Sequence, residues 1–182
     1  VLHTETLPDE GLLHRLDHGT SGACVFARHR DAHSKLLAQR DNHSLQRTYW
    51  AIVPAGADTS LTITHPIAHH PTHATRMVVV PEDEDVEHRS TPQPATTFVT
   101  KLAEVDGAAL IEARIEGGRR HQIRVHLAHA GFPLFGDRTY RGQVHNHFPD
   151  RLALHAKTVR WLDLEDGTAR EASAPCGAHF WQ

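Results

Sequence analysis

The nine residues HRLDHGTSG, His14 to Gly22, hold one carboxylate, one guanidinium, two imidazoles, two hydroxyls and two glycines. No continuous core element requires that composition, so the segment poses the question of what Asp17 does in it. An aspartate in a polar, glycine-containing loop is most often a turn former. A chemical role gains force only jointly with other residues. Thr20 and Ser21 can rigidify the loop so that it presents one carboxylate, and a basic helix much later in the chain carries Arg124, which can keep that carboxylate ionised. An ionised carboxylate can act as a nucleophile without a metal.

Outward from this loop, ACVFA reads as a short buried strand with Cys24 as a core thiol, and RDAHSKLLAQRDN as a helix with Asp31 as N-cap. RTYWAIVP and RMVVVP have strand character, and the acidic, proline-rich PEDEDVEHRSTPQP reads as a surface loop. ATTFVTKLAEV and ALIEARIE flank Asp106-Gly107, a hairpin signal, and a second hairpin is expected about Asp166-Gly167. In RHQIRVHLAHAG, Ile123, Leu127 and Ala130 form one apolar helical face, closed by Gly131, with Arg120 and Arg124 one turn apart on another face. Hairpins dominate and helices interrupt them, so the expected class is α+β with a mainly antiparallel, mixed sheet.

The chain has 182 residues, 39% hydrophobic and 23% charged, the profile of a globular protein with a substantial core. No apolar run approaches the roughly 20 residues of a membrane span. The two cysteines, Cys24 and Cys176, lack CxxC spacing and suit a reducing compartment, so a cytoplasmic location is expected. The net charge of −3 hides an uneven distribution. Six arginines between Arg114 and Arg141 face only Glu116 and Asp137, whereas Glu82 to Glu87 is almost wholly acidic. A local basic face can bind a polyanion whatever the total charge.

The 18 histidines, and HPIAHHPTH above all (His65, His69, His70, His73), invite a metal hypothesis. HExxH is absent and both cysteines are isolated, so no metal ligand is assigned. Ser21 near His14 and His18 lacks the GxSxG elbow of a serine nucleophile. GTSG lacks the lysine of a phosphate-binding P-loop, and GGRRHQIR lacks dinucleotide-binding spacing.

HRLDHGTSG closely resembles the signature of the RluA-type RNA pseudouridine synthases, in which HRLD is followed two residues later by TSG. Three further segments agree in order. RTYWA, Arg47 to Ala51, resembles the family's basic residue-x-Tyr-x-Ala strand. GRRHQIRVHLAHAGFPLFGDRTY, Gly118 to Tyr140, resembles its GRxHQIRxH…G.P..GD..Y block. RLALHA, Arg151 to Ala156, resembles its late RLxLHA segment, and the terminal AP…F pattern, Ala174 to Phe180, is recognisable. The resemblance places the catalytic aspartate on Asp17, the active-site tyrosine on Tyr49 and the carboxylate-pairing arginine on Arg124, with Arg15, Thr20, His121, Gln122 and Leu154 binding substrate.

The resemblance further implies a sheet-centred α+β fold with flanking helices, a cleft across the sheet, no cofactor and no metal. Its expected partner is RNA, ribosomal or transfer, with uridine isomerised to pseudouridine by a cytoplasmic monomer that has no membrane partner. Residues 1–182 are expected to form one catalytic domain lacking its extreme N-terminal segment, of which only VLHTE is suggestive, and no S4-type RNA-binding module is visible. Arg47 stands where lysine is commoner, Ala23 where a bulkier residue follows TSG, and Gly117 where threonine precedes GRxHQ. Two rival readings are an RNA-binding relative that has lost catalysis and a histidine-rich metal-dependent hydrolase.

Overall fold

The computed structural model describes residues 7–58, 60–144 and 151–177. VLHTE and Phe180 lie outside the described residues. In chain order the elements are β1 (Ser21–Gly22), α1 (Arg30–Asp41), β2 (Gln46–Pro54), β3 (Ser60–Ile63), β4 (Ile67–His69), β5 (Met77–Val79), β6 (Thr96–Val105), β7 (Ala108–Glu116), α2 (Gln122–His129), β8 (Leu154–Leu162) and β9 (Ala169–Ser173). Among the described residues seven strands form one sheet in the order β1-β8-β2-β7-β6-β3, with β9 added to β8, while β4 and β5 pair separately. All pairings are antiparallel except β1 with β8. The fold is therefore α+β with a mixed sheet, as the hairpin-rich sequence implies.

The β6–β7 hairpin turns on Asp106 (φ 51°) and Gly107 (φ 79°), two positive φ values in succession, as a type I′ turn requires. On β2, Arg47, Tyr49, Ala51 and Val53 share one face by the two-residue period, and all four are buried. Register carries that face across the sheet: Tyr49 pairs with Ala113 and with Ala156, Ala51 with Ile111 and Leu154, and Arg47 with Val159. Ile123 and Leu127 of α2 join the cluster of Tyr49, Ala51 and Ala113, while Ala32 and Leu36 of α1 cluster with Val159. Both helices thus lie on the same face of the sheet, which leaves a furrow between them above β2 and β8. Arg114 stacks over the Phe98 ring at 4.0 Å on the opposite face.

Four local expectations are corrected. ACVFA is not a buried strand: only Ser21–Gly22 pairs with β8, and Cys24 and Phe26 (58% exposed) face outward. Gly22 (φ 118°) lies so close against the Ala156 backbone that a side chain would collide with it, and the chain then leaves the sheet. The cap of α1 is His29, whose Nδ1 accepts from the Ala32 N–H at 3.3 Å, and Asp31 sits inside the first turn. Finally, α2 has no polar outer face along most of its length, because Gln122 to Leu127 are all buried. Arg120 precedes the helix, beyond the left-handed His121 (φ 56°), and does not share a helical face with Arg124.

Candidate active site

Leu13 is buried in the cluster under α1, and Leu16 packs on the central cluster, so the loop that leads into β1 is pinned immediately ahead of Asp17. The Thr20 N–H donates to the Asp17 carbonyl at 2.9 Å, with Gly19 at φ 86° supplying the positive φ that this turn needs. Asp17 is therefore both a turn residue and the group that the turn presents. Its side chain keeps 23% of its surface exposed to the furrow.

Arg124 reaches Asp17 from α2 on the other side of the furrow, donating from Nη1 to Oδ2 at 3.3 Å. Its other two nitrogens donate to Asp137, Nε at 2.7 Å and Nη2 at 2.8 Å. Asp137 is 1% exposed and also accepts from the Thr139 and Tyr140 N–H groups. This two-point clamp fixes the plane of the guanidinium, so that one N–H pair is left aimed at Asp17. Burial opposes the charge of Arg124, but the hydrogen bonds and charge of Asp137, followed by Asp17, more than offset it and raise the pKa.

Tyr49, on the floor, is almost fully buried, and burial pushes its phenol above the usual range while the neighbouring Arg47 guanidinium opposes that rise. His121 forms part of the wall, and its Nδ1 lies 2.9 Å from the Tyr140 hydroxyl. That hydroxyl already accepts the Met77 N–H at 2.9 Å. Its own proton is free for His121 Nδ1, which leaves Nε2 as the N–H donor on the imidazole. Burial, followed by the charge of Arg124, lowers the pKa of His121 and favours this neutral form.

Asp17, Tyr49, Arg124, Thr20, Gln122 and Leu154 all line one open cleft, as do Arg15 and His121. The structure brings together every residue placed in the site from sequence. Their roles differ in what is visible: Arg15 is exposed at the rim and Leu154 is buried in the wall. The Gln122 amide is committed to the protein, donating to the Thr96 and Glu116 carbonyls and accepting from the Arg119 N–H. Three participants escaped sequence reasoning as site residues: Asp137, Tyr140 and Arg47. The first two stand in the GD..Y end of the second block, and a buried carboxylate there signals the need for a cation.

Ser21 Oγ lies 2.9 Å from His155 Nδ1 and accepts from Arg151 at 2.9 Å, away from His14 and His18. Among the described residues no group of His, Cys, Asp or Glu side chains is arranged to hold a metal. His69 instead bonds Ser90, and His70 accepts from the Thr72 and His73 N–H groups. Among the described residues no helix is long and apolar enough to cross a membrane.

Residues 6–129 match the family model described as RNA pseudouridylate synthase. An RNA pseudouridine synthase of Chloroflexus aurantiacus is 35% identical over 168 residues, covering 92% of this chain and 50% of that protein. Ribosomal large subunit pseudouridine synthase D of Pseudomonas aeruginosa is 35% identical over 172 residues, covering 87% of this chain and 50% of the relative. Among solved structures, human RNA pseudouridylate synthase domain containing 1 superposes with a TM-score of 0.73 at 27% identity, covering 91% of this chain and 68% of the human one. The chain spans about half the length of the curated relatives it matches. With the furrow, the clamped arginine and all four motifs in register, the chain belongs to the RNA pseudouridylate synthase family, of the RluA type.

Proposed function

We propose that this protein isomerises uridine to pseudouridine within structured RNA, with Asp17 as the catalytic carboxylate. The observation that carries this reading is the placement of Asp17 at the open side of the cleft, ion-paired to Nη1, the one Arg124 nitrogen that Asp137 does not engage. A uridine stacked in RNA cannot offer its glycosidic bond, so the nucleotide must be flipped into the cleft. The N1–C1′ bond then breaks, the base turns, C5 bonds to C1′, C5 loses a proton and N1 gains one. Atoms and electrons balance within the substrate, so the reaction calls for no redox carrier.

Asp17 acts either by bonding to C1′ or by removing a sugar proton. Arg124 holds it anionic and aimed on either route. Tyr49 stacks on the base, and its hydroxyl moves the proton from C5 at the last step. Ribosomal RNA is the favoured target, supported by the relatives named for the ribosomal large subunit, with transfer RNA as the alternative. A single copy suffices, since one chain supplies Asp17, Arg124 and Tyr49 to the cleft. The exposed free thiol of Cys24 supports a reducing, cytoplasmic setting.

The test is Asp17→Asn assayed by tritium release from RNA carrying 5-tritiated uridine. The variant should keep its circular dichroism spectrum and RNA binding while losing isomerisation. Turnover at the wild-type rate in the variant would sink the assignment. An Asp17→Asn variant indistinguishable from an equally inactive wild type would favour the RNA-binding relative.

A further inference from the structure

Arg47 is a buried cation without a counter-ion. Its side chain lies on the cleft floor beside Tyr49, on the same face of β2 two residues earlier, and the residue is 8% exposed. Among the described residues no carboxylate pairs with it, and its buried Nε has no hydrogen-bond partner. The guanidinium lies against the backbone of Gly118, where a side chain would collide with Nη2 and displace it. Buried charges are ordinarily paired, because a desolvated guanidinium with only the neutral Tyr49 hydroxyl beside it and no counter-ion is costly. The nearby Thr20 hydroxyl, also on the cleft wall, is likewise buried without a partner. Two orphaned polar groups on one cleft mark where a substrate acceptor belongs.

We propose that Arg47 is a catalytic residue that stabilises the departing uracil as an anion; this rests on the isomerase reading above. On either route for Asp17 the base leaves with the N1 bonding pair, and that charge spreads onto the O2 and O4 carbonyl oxygens. A guanidinium already in place, buried and without a carboxylate partner, meets this charge without reorganisation, and it interacts less with the neutral base of the ground state. The pair returns when C5 bonds to C1′, so no charge is left over.

A backbone phosphate is the competing acceptor, and the placement disfavours it. Phosphates are strongly hydrated and suit the exposed guanidinium groups of Arg15 and Arg120, whereas Arg47 sits beside Tyr49, Ile115 and Leu154, which form an apolar slot for a planar base.

The test compares wild type, Arg47→Met and Arg47→Lys on transcripts of large-subunit ribosomal RNA made with uridine or with 5-fluorouridine. Single-turnover loss of the starting nucleoside is read after nuclease digestion. Fluorine makes the base a better leaving group and lessens the need for the cation. Arg47→Met should therefore lose roughly 10²–10³-fold in rate on uridine, the usual cost of one such donor. On 5-fluorouridine its loss should shrink to about tenfold or less. Arg47→Lys should recover part of the uridine rate. Since Met removes an unpaired buried charge, the melting temperature should hold or rise, which a purely structural arginine would not allow.

Equal losses on both bases would overturn the proposal. So would a defect confined to KM with a reduced salt dependence, which would assign Arg47 to phosphate. A wild type that consumes neither nucleoside would instead overturn the isomerase reading itself.

Discussion

Asp137→Asn isolates what holds the Asp17–Arg124 pair in place. The carboxylate is 1% exposed and binds Arg124 at 2.7 and 2.8 Å, and the Arg124 side chain is itself only 8% exposed. Breaking a buried ion pair by removing one partner typically costs 3–5 kcal/mol. Two features place this change at the lower end. The amide retains an oxygen for the Thr139 and Tyr140 N–H groups, and Asp17 remains 3.3 Å from Nη1 as a second anion. The expected loss is about 3 kcal/mol, or roughly 6–12 °C in melting temperature for a chain of this size. Arg124 then has Asp17 as its one charged neighbour in the trio and turns towards it, so the carboxylate is aimed wrongly and the rate falls by about 10². Thermal melts followed by circular dichroism, with single-turnover tritium release, read both quantities. The double variant Asp137→Asn/Arg124→Met removes the stranded charge and should lose less stability than the two single changes summed. A single Asn variant within about 1 kcal/mol and a few-fold in rate would refute the clamp.

Tyr49→Phe keeps the ring but loses the hydroxyl, so single-turnover release of pseudouridine should slow by roughly 10²–10⁴, and a change of only a few-fold would leave stacking alone. Acid should destabilise the fold through two histidines, His14 and His126, both lowered to about 4, chiefly by burial. His126 is 0% exposed, donating from Nε2 to the His65 carbonyl and leaving Nδ1 to accept from Thr97. The unfolded chain takes up these protons near pH 6.5 and the native one near pH 4, so stability is complete above 6.5 and is lost as pH falls through that window, by about 3 kcal/mol per group. A urea midpoint that stayed level from pH 7 to pH 4 would contradict this. Gly118→Ala forces a side chain into φ 60° at a cost of about 1–2 kcal/mol and pushes on Arg47, so its melt should drop and its turnover fall, and normal turnover would show that Arg47 has room to spare.

The parts of this fold legible in the sequence are those set by neighbours in the chain. The Asp106-Gly107 and Asp166-Gly167 turns are local, and both hairpins form where they are expected. Asp17, Tyr49 and Arg124 became legible together through motifs, and the cleft does gather them. What sequence reading missed depends on distant partners. ACVFA is apolar enough for a strand, but two residues of β8 are all that its start finds to pair with. Helix α2 reads as amphipathic because arginine and histidine count as solvent-seeking, yet Arg124 is matched by Asp137 and His126 by Thr97 and the His65 carbonyl. Only the assembled fold shows that those polar groups are satisfied in the interior.

The placing of β8 between β1 and β2 has a consequence for biogenesis. A growing polypeptide leaves the ribosome from its N-terminus, so the HRLDHGTSG loop emerges before β8, as do Arg47 and Tyr49. The loop finds its parallel partner only when the distant His155 and Ala156 have been added. Until then β2 lacks one of its two neighbours and Asp17 has no fixed address. Sheets closed by such late insertion fold slowly, because a long loop must be ordered before its contacts are gained. Asp17 and Arg124 can therefore both be made well before the furrow that joins them is complete, because that furrow waits for β8.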